Sequence, residues 1–313
     1  MIKTTDFDGF ANVLLDKCNS DLSLNKGLAG DLLWMFYYLQ VYDNKEVEFF
    51  FKNNAQRLLE GVNDHPWSYF DGRLGIGAII NLFIDTGIFD VDCEVFLKEI
   101  DTEVNNLVGL RKLRQMDFAE GYLGAGCFIL QRVNADILES NNIIVQINFR
   151  ENLIVVIDLL DSEDGLSQLS EIDLIRSLYF VEGVKKLKIY PEICNKVLNR
   201  IIEKLESVKV DDCLTFFIRT ELAVFKQEFI PSYINPMKVD FKNDLIANCL
   251  AFNLKDLIQP TDQIILLNQI LNEFSNESEG MSSCKGGTKA LALALLCEQN
   301  PELDSYWKNI FLR

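Results

Sequence analysis

Apolar residues alternate along this chain between two patterns. The first is a run that is apolar on nearly every side, as in Asp31 to Val41, Ile76 to Ile84 and Ala125 to Leu130. The second is a one-sided stripe at helical spacing. Val47, Phe50, Phe51, Ala55, Leu58, Leu59 and Val62 form one, with Lys52, Asn53, Gln56 and Arg57 between them. Cys93, Phe96, Leu97, Ile100, Val104, Leu107 and Val108 form another, and Ile193, Cys194, Val197, Leu198, Ile201, Leu205 and Val208 a third. A helix buried all round followed by an amphipathic one describes an inner and an outer layer. The pattern predicts an all-α fold of repeated helix pairs, an α/α toroid if the array closes and a helical solenoid if it stays open.

Each fully apolar run is opened by the same short stretch. Lys26-Gly27-Leu28-Ala29-Gly30, Asp71-Gly72-Arg73-Leu74-Gly75 and Glu120-Gly121-Tyr122-Leu123-Gly124 all read charged-Gly-x-x-Gly. Gly27 and Gly72 are 45 residues apart, Gly72 and Gly121 49, a period in the range of repeat architectures. A degenerate copy, Cys284-Lys285-Gly286-Gly287-Thr288-Lys289, precedes Ala290 to Cys297. Gly286 stands 259 residues after Gly27, close to six intervals of about 43, which suggests about seven units. The first glycine is expected to supply a positive φ in the loop that enters the helix. The second, one turn on, is expected to let a neighbouring backbone come close.

Taken in order, the chain reads as an outer helix over residues 1–22 (Phe10, Val13, Leu14 and Cys18 on one face), an inner helix over 24–41 and an outer one over 44–62. Next come an inner helix from about Leu74 to Phe83, an outer one over 93–108 and an inner one beginning near Leu123. Ile143, Val145, Ile147 and Phe149 alternate with less regular neighbours and suggest a short strand. Leu153 to Leu160 is helical by run length, and residues 162–165 form a turn. Ile172 to Val184 and 192–208 pair as inner and outer helices, with Pro191 at the start of the second. Further helices are expected over 213–229, 244–258 and 262–274, the last opened by Pro260-Thr261-Asp262. No linker separates two domains, 230–240 being the best candidate, so residues 1–313 are expected to form a single domain.

Composition narrows the function. A formal net charge of −17 argues against nucleic-acid binding, which needs a basic face, and against an anionic membrane surface. The eight cysteines form no CxxC pair, and several sit on apolar stripes, where a thiol behaves as a small hydrophobe. The opening MIKTTDFDGF carries no signal-peptide core, and no uncharged run reaches the roughly 18 residues of a membrane span. A reduced, cytoplasmic protein without a membrane span is expected.

The repeated Gly-x-x-Gly before an apolar helix resembles the LanC-like family, the lanthionine synthetase C proteins. The resemblance is carried by residues 25–39, 70–84, 119–131 and 284–297; residues 135–280 match only in helical rhythm. It implies an α/α toroid of seven inner and seven outer helices and a role in the maturation of ribosomal peptide natural products of the lanthipeptide type. Family enzymes add peptide thiolates to dehydroalanine or dehydrobutyrine to close thioether rings, using a zinc held by two cysteines and a histidine. Cys284-Lys285-Gly286 matches the family's Cys-His-Gly motif with Lys285 in place of the histidine, and no Trp-Cys-x-Gly motif is present. The only histidine is His65. No cofactor is therefore expected, and zinc enters only if Cys284 finds distant partners. Without it, a peptide thiol of pKa about 8.5 is only a few per cent thiolate at pH 7.

The candidate catalytic residues are accordingly His65, the one side chain that titrates near neutrality, Cys284, whose thiol a helix N-terminus would acidify, and Lys285, whose charge stands where the metal's would. The candidate substrate-binding residues are Lys26, Asp71 and Glu120, which share one repeat position and would ring one end of the inner helices, with Trp67 and Tyr69 in the loop beside His65. Metal ligands are not assigned. The expected partner is a precursor peptide, bound in the central cavity of the toroid, or the enzymes that modify it. Two other readings stay open: a catalytically degenerate scaffold that recruits other peptide-modifying enzymes, and an α/α-barrel glycosidase, which needs two carboxylates across a cleft.

Overall fold

The computed structural model describes residues 8, 11, 12, 14, 15, 21–25, 27–134, 143–208, 218, 219, 221–223, 225 and 226. Among them helix is the only regular secondary structure, as the apolar periodicity predicts. Contacts divide the chain into two compact units, Met1–Glu60 with Val210–Ser305 and Gly61–Lys209 with Tyr306–Arg313. The expected helices over 213–229, 244–258, 262–274 and 284–297 lie wholly or largely outside the described residues.

In the first unit, α1 (Leu28–Val41) is buried from Leu28 through Tyr38, so it has no solvent face. Trp34 stacks on Tyr38 one turn later, with ring centroids 5.2 Å apart. The Tyr38 hydroxyl donates to Asp8 Oδ1 at 2.5 Å. The adjoining α2 (Lys45–Gly61) is one-sided: Val47, Phe51, Ala55 and Leu58 are buried, while Phe49 is 70% exposed. Asn44 starts this helix by accepting from the amides of Glu46 and Val47. Of the outer helix expected over 1–22, Asp8, Ala11, Asn12, Leu14 and Leu15 are described and helical, with Ala11 and Leu14 buried.

The second unit holds α3 (Arg73–Asp85), α4 (Cys93–Phe96), α5 (Lys98–Gly109), α6 (Tyr122–Asn134), α7 (Ile143–Asp161), α8 (Glu163–Ser167), α9 (Glu171–Lys186) and α10 (Pro191–Ser207). Its helices form the two layers that the sequence pattern implies. In the inner row α3 packs on α6 and α6 on α9; in the outer row α5 packs on α7 and α7 on α10. The rows are tied by α3 with α5, α6 with α7 and α9 with α10. Each inner helix carries a mid-helix glycine that receives a neighbour's side chain. A Cβ on Gly77 would lie 3.0 Å from Ile100 of α5 and 3.2 Å from Phe128 of α6. One on Gly126 would lie 3.0 Å from Phe180 of α9, and one on Gly183 2.7 Å from Leu130 of α6. These glycines cost helix propensity, about 1 kcal/mol each, and allow the closely set inner row in return.

Three local expectations change. Residues 143–149 are not a strand but the first two turns of α7. Phe149, Leu153, Val156, Ile157 and Leu160 recur at helical spacing and are buried, whereas Ile144 and Ile147 are exposed. The long 3.6-residue period therefore overrides the short alternation. The helix expected over 93–108 is broken at the buried Leu97 into α4 and α5, leaving Phe96 39% exposed. Residues 162–165 do not form a free turn: Ser162 caps α8 by accepting from the Gly165 amide at 3.0 Å. Pro191 stands in the first turn of α10, as expected.

Candidate functional site at the helix entrances

The three charged-Gly-x-x-Gly stretches fold into the same hydrogen-bonded loop. At each one the first amides of the inner helix donate to carbonyls six or seven residues upstream. Leu28 N bonds Asp21 O at 2.8 Å and Ala29 N bonds Leu22 O at 3.3 Å. Arg73 N bonds Pro66 O at 3.0 Å and Leu74 N bonds Ser68 O at 3.1 Å. Tyr122 N bonds Gln115 O at 3.0 Å and Leu123 N bonds Met116 O at 3.3 Å. Donors that a helix ordinarily leaves to water or to a side-chain cap are thus met by the chain's own backbone.

This geometry explains the first glycine, and not by the expected positive φ. Gly27 has φ −99° and ψ −168°, Gly72 φ −144° and ψ −167°, both extended backbone open to any residue. Among the described glycines a positive φ occurs at Gly87, which ends α3. What excludes a side chain is contact: a Cβ on Gly72 would sit 2.1 Å from Pro66 O, and one on Gly121 2.6 Å from Gln115 O. The returning loop passes directly over the helix start. The second glycine behaves as expected at Gly124, where a Cβ would meet Phe118 O at 2.0 Å.

The second and third loops are joined. Tyr69 N donates to Ala119 O at 2.7 Å, and the rings of Tyr69 and Phe70 pack on Phe118 at 4.3 and 5.2 Å between centroids. Asp71 and Glu120, which hold the same place before Gly72 and Gly121, are both exposed at these joined loops. His65 follows the short 3-10 turn Val62–Asp64 and is half-buried; Trp67 is half-buried nearby in the same loop. Tyr69 is fully buried, its hydroxyl accepting from Gln131 Nε2 at 2.9 Å, and burial drives its pKa far above the ordinary phenol range. It therefore packs the loop core rather than facing solvent. Lys26, Cys284 and Lys285 lie outside the described residues.

Two buried arginines behind these loops are not singled out by the motif reading. Arg176 of α9 lies under the aromatic cluster, its guanidinium carbon 4.5 Å from the centre of the Phe118 ring and 5.3 Å from that of Phe70. Its Nη1 donates to Asp173 Oδ1 at 2.9 Å, and burial lowers its pKa. Asp173 is itself part of the start of α9, where Ser170 Oγ accepts from its amide and donates to its carboxylate. Farther along α6, Arg132 is 1% exposed and forks onto Asp101 of α5 through Nε (3.1 Å) and Nη2 (2.8 Å). Its Nη1 reaches Asn81 Oδ1 of α3 at 2.9 Å and Cys93 Sγ of α4 at 2.7 Å. Burial pushes the Asp101 carboxyl up, against the pull of Arg132, and pushes the Cys93 thiol up to about 11. The sequence signal was the single basic residue of an otherwise apolar helix, Arg132, and an acid beside the inward-facing Ile100.

The zinc that the resemblance implies can be tested on the donors present. Cys93, Cys127 and Cys194 are buried thiols, all shifted upward by burial, Cys194 to about 11 and Cys127 well above its usual value. Among the described residues no three of His, Cys, Asp and Glu gather closely enough to hold an ion. The described donor set does not fit a zinc, whose ligands are thiolates, neutral imidazoles or carboxylates. Among the described residues no helix is long and apolar enough to cross a membrane. No protein-family model, curated protein or solved structure matches the chain.

Proposed function

We propose that this chain is a LanC-like protein of ribosomal peptide maturation, which binds a precursor peptide in the toroid cavity, entered at the end of the inner helices where the second and third entrance loops meet. On this reading the two helical layers belong to an α/α toroid of about seven pairs. The observation that carries the reading is the recurrence of one entrance loop, bonded in the same way at Gly27, Gly72 and Gly121, on the residues that bear the resemblance. The exposed carboxylates Asp71 and Glu120 at joined loops, with His65 in the first of them, give that end polar side chains a peptide can meet.

The chemistry open to such a site is limited by its donors. The described residues offer a general base as the route by which a peptide thiol is activated. His65 is the candidate base, taking the thiol proton as sulfur adds to the dehydroamino acid and returning it to the resulting carbanion. A protein that binds and presents the peptide without turnover is the second reading, favoured by Lys285 standing where the family's histidine ligand belongs.

One experiment separates the readings. A dehydrated Ser/Thr/Cys precursor peptide is incubated with the protein, binding is measured by fluorescence anisotropy, and remaining thiols are counted by alkylation and mass spectrometry. Binding with loss of alkylatable thiol, abolished in His65→Ala, supports ring closure. Binding with thiols intact supports the presenting role. No binding removes the proposal.

A further inference from the structure

One short stretch runs against the charge of the whole chain. From Val104 to Met116 there is no acidic residue, and Arg111, Lys112 and Arg114 make the stretch basic in a chain of net charge −17. All three are exposed, and so is Leu110, at 63%. Among the described residues none of the three forms an ion pair, whereas Arg73, Arg132, Arg176 and Arg200 all do.

The stretch is a strap tied down at both ends. At its start Arg111 N bonds Val108 O at 3.0 Å and Lys112 N bonds Leu107 O at 2.8 Å, the same closure that ends α3 at Gly87. At its end Gln115 O and Met116 O receive the first amides of α6, so the strap runs directly into the third entrance loop. Arg111 stands where Gly87 stands after α3, with φ +53° against +74°. A side chain in this left-handed region costs stability that glycine would not. A cation at a helix C-terminus is favourable in itself, as at Lys188 after α9, which offsets part of that cost but does not account for Arg114, three residues on. The second entrance loop has no such approach. Counting back from the first glycine, Val62, Asn63 and His65 hold the places of Arg111, Lys112 and Arg114.

We propose that residues 110–114 dock an acidic segment of a bound peptide, its carboxylates on Arg111, Lys112 and Arg114 and an aliphatic side chain on Leu110. This rests on the peptide-binding reading above and assigns the chemistry that the peptide carries. Charge complementarity selects the partner. An acidic peptide is attracted to the strap and repelled by Asp71 and Glu120, exposed at the loops that follow, so it is held in one direction beside the joined entrance. Screening over roughly 8 Å at physiological salt leaves the nearest charges, not the net charge, to decide the contact. Nucleic acid and anionic membranes instead need a broad basic face, which a three-cation strap on so acidic a chain does not supply.

The test uses the full chain and two fluorescent Ser/Thr/Cys peptides, one carrying two Glu beside a Leu and the other Gln in their place, with vesicles of anionic phospholipid as a further probe. The Glu peptide should bind about fivefold more tightly, an advantage that fades as salt is raised. Arg111→Gly and Arg114→Ser should each weaken the Glu peptide about twofold to fivefold and leave the Gln peptide unaffected. Glycine relieves the left-handed backbone, so Arg111→Gly should not lower the Tm; a lower Tm with unchanged preference for Glu would give the side chain a structural role and overturn the assignment. Equal binding of both peptides by the wild type overturns the assignment and leaves the peptide reading standing. Vesicle binding lost in the two variants, with no preference for Glu, overturns it in favour of a membrane surface. Binding of neither peptide overturns both.

Discussion

Arg132 and Asp101 form a two-pronged ion pair, 2.8 and 3.1 Å, between an inner and an outer helix with almost no access to water. Asn81 and Cys93 occupy the remaining nitrogen, so the guanidinium is surrounded by helices α3, α4, α5 and α6. A buried pair of this kind contributes little over a well-packed apolar pair, yet either member alone is very costly. Arg132→Met or Asp101→Asn should each lower the unfolding free energy by about 3–5 kcal/mol in urea titration. The double variant should lose less than the sum, and additivity would show that the two charges do not act as a pair.

The entrance glycines should tolerate alanine worse than the mid-helix ones. In Gly72→Ala and Gly124→Ala the new methyl meets a backbone carbonyl at 2.1 and 2.0 Å, so the loop itself must move. In Gly183→Ala it meets the tip of the Leu130 side chain at 2.7 Å, which can rotate away, and alanine regains about 1 kcal/mol of helix propensity. Thermal melts should place Gly72→Ala and Gly124→Ala well below wild type, and Gly183→Ala much closer to it.

Alkaline titration should unfold the first unit through Tyr38. Burial, and then the bond to Asp8, raise its phenol from 10 to about 12. The folded value is the higher one, so the stabilisation is complete below pH 10 and is lost as the pH climbs from 10 through about 12. Tyr38→Phe should flatten the pH dependence of the melting temperature in that window; an unchanged slope would mean that another group governs alkaline unfolding.

The buried thiols should be silent. Cys93, Cys127 and Cys194 are shielded and shifted upward, so neither access nor ionisation favours attack at pH 8. Replacing each in turn by alanine should leave the number of thiols that react promptly with Ellman's reagent in the native protein unchanged. A drop of one would expose the cysteine responsible.

Much of the second unit was legible because its helices obey one rule each. The stripe of α10 is buried at Cys194, Val197, Leu198, Ile201 and Leu205, all foreseen from spacing. The unbroken apolar run of α3 is buried from Leu74 to Ile84 for the same reason. Periodicity failed where two periods overlapped, at the start of α7, and at Leu97, a buried member of its stripe at which the helix nevertheless breaks. The role of Gly27 and Gly72 was misjudged because sequence shows that a side chain is absent but not whether a dihedral angle or a passing carbonyl forbids it. The polar cluster around Arg132 depends on contacts between helices far apart in the chain, such as Arg132 with Asn81. No local pattern encodes those.

The entrance loop also bears on the order in which the chain folds. Its closing bonds, such as Arg73 N to Pro66 O, span only seven residues. Closing so short a loop carries a small entropy penalty and takes well under a microsecond. Each such helix start can therefore form before any neighbouring helix arrives, which eases the unfavourable first turn of an isolated helix. Folding of the layered array then has several independent points of departure along the chain, and no single long-range contact has to come first.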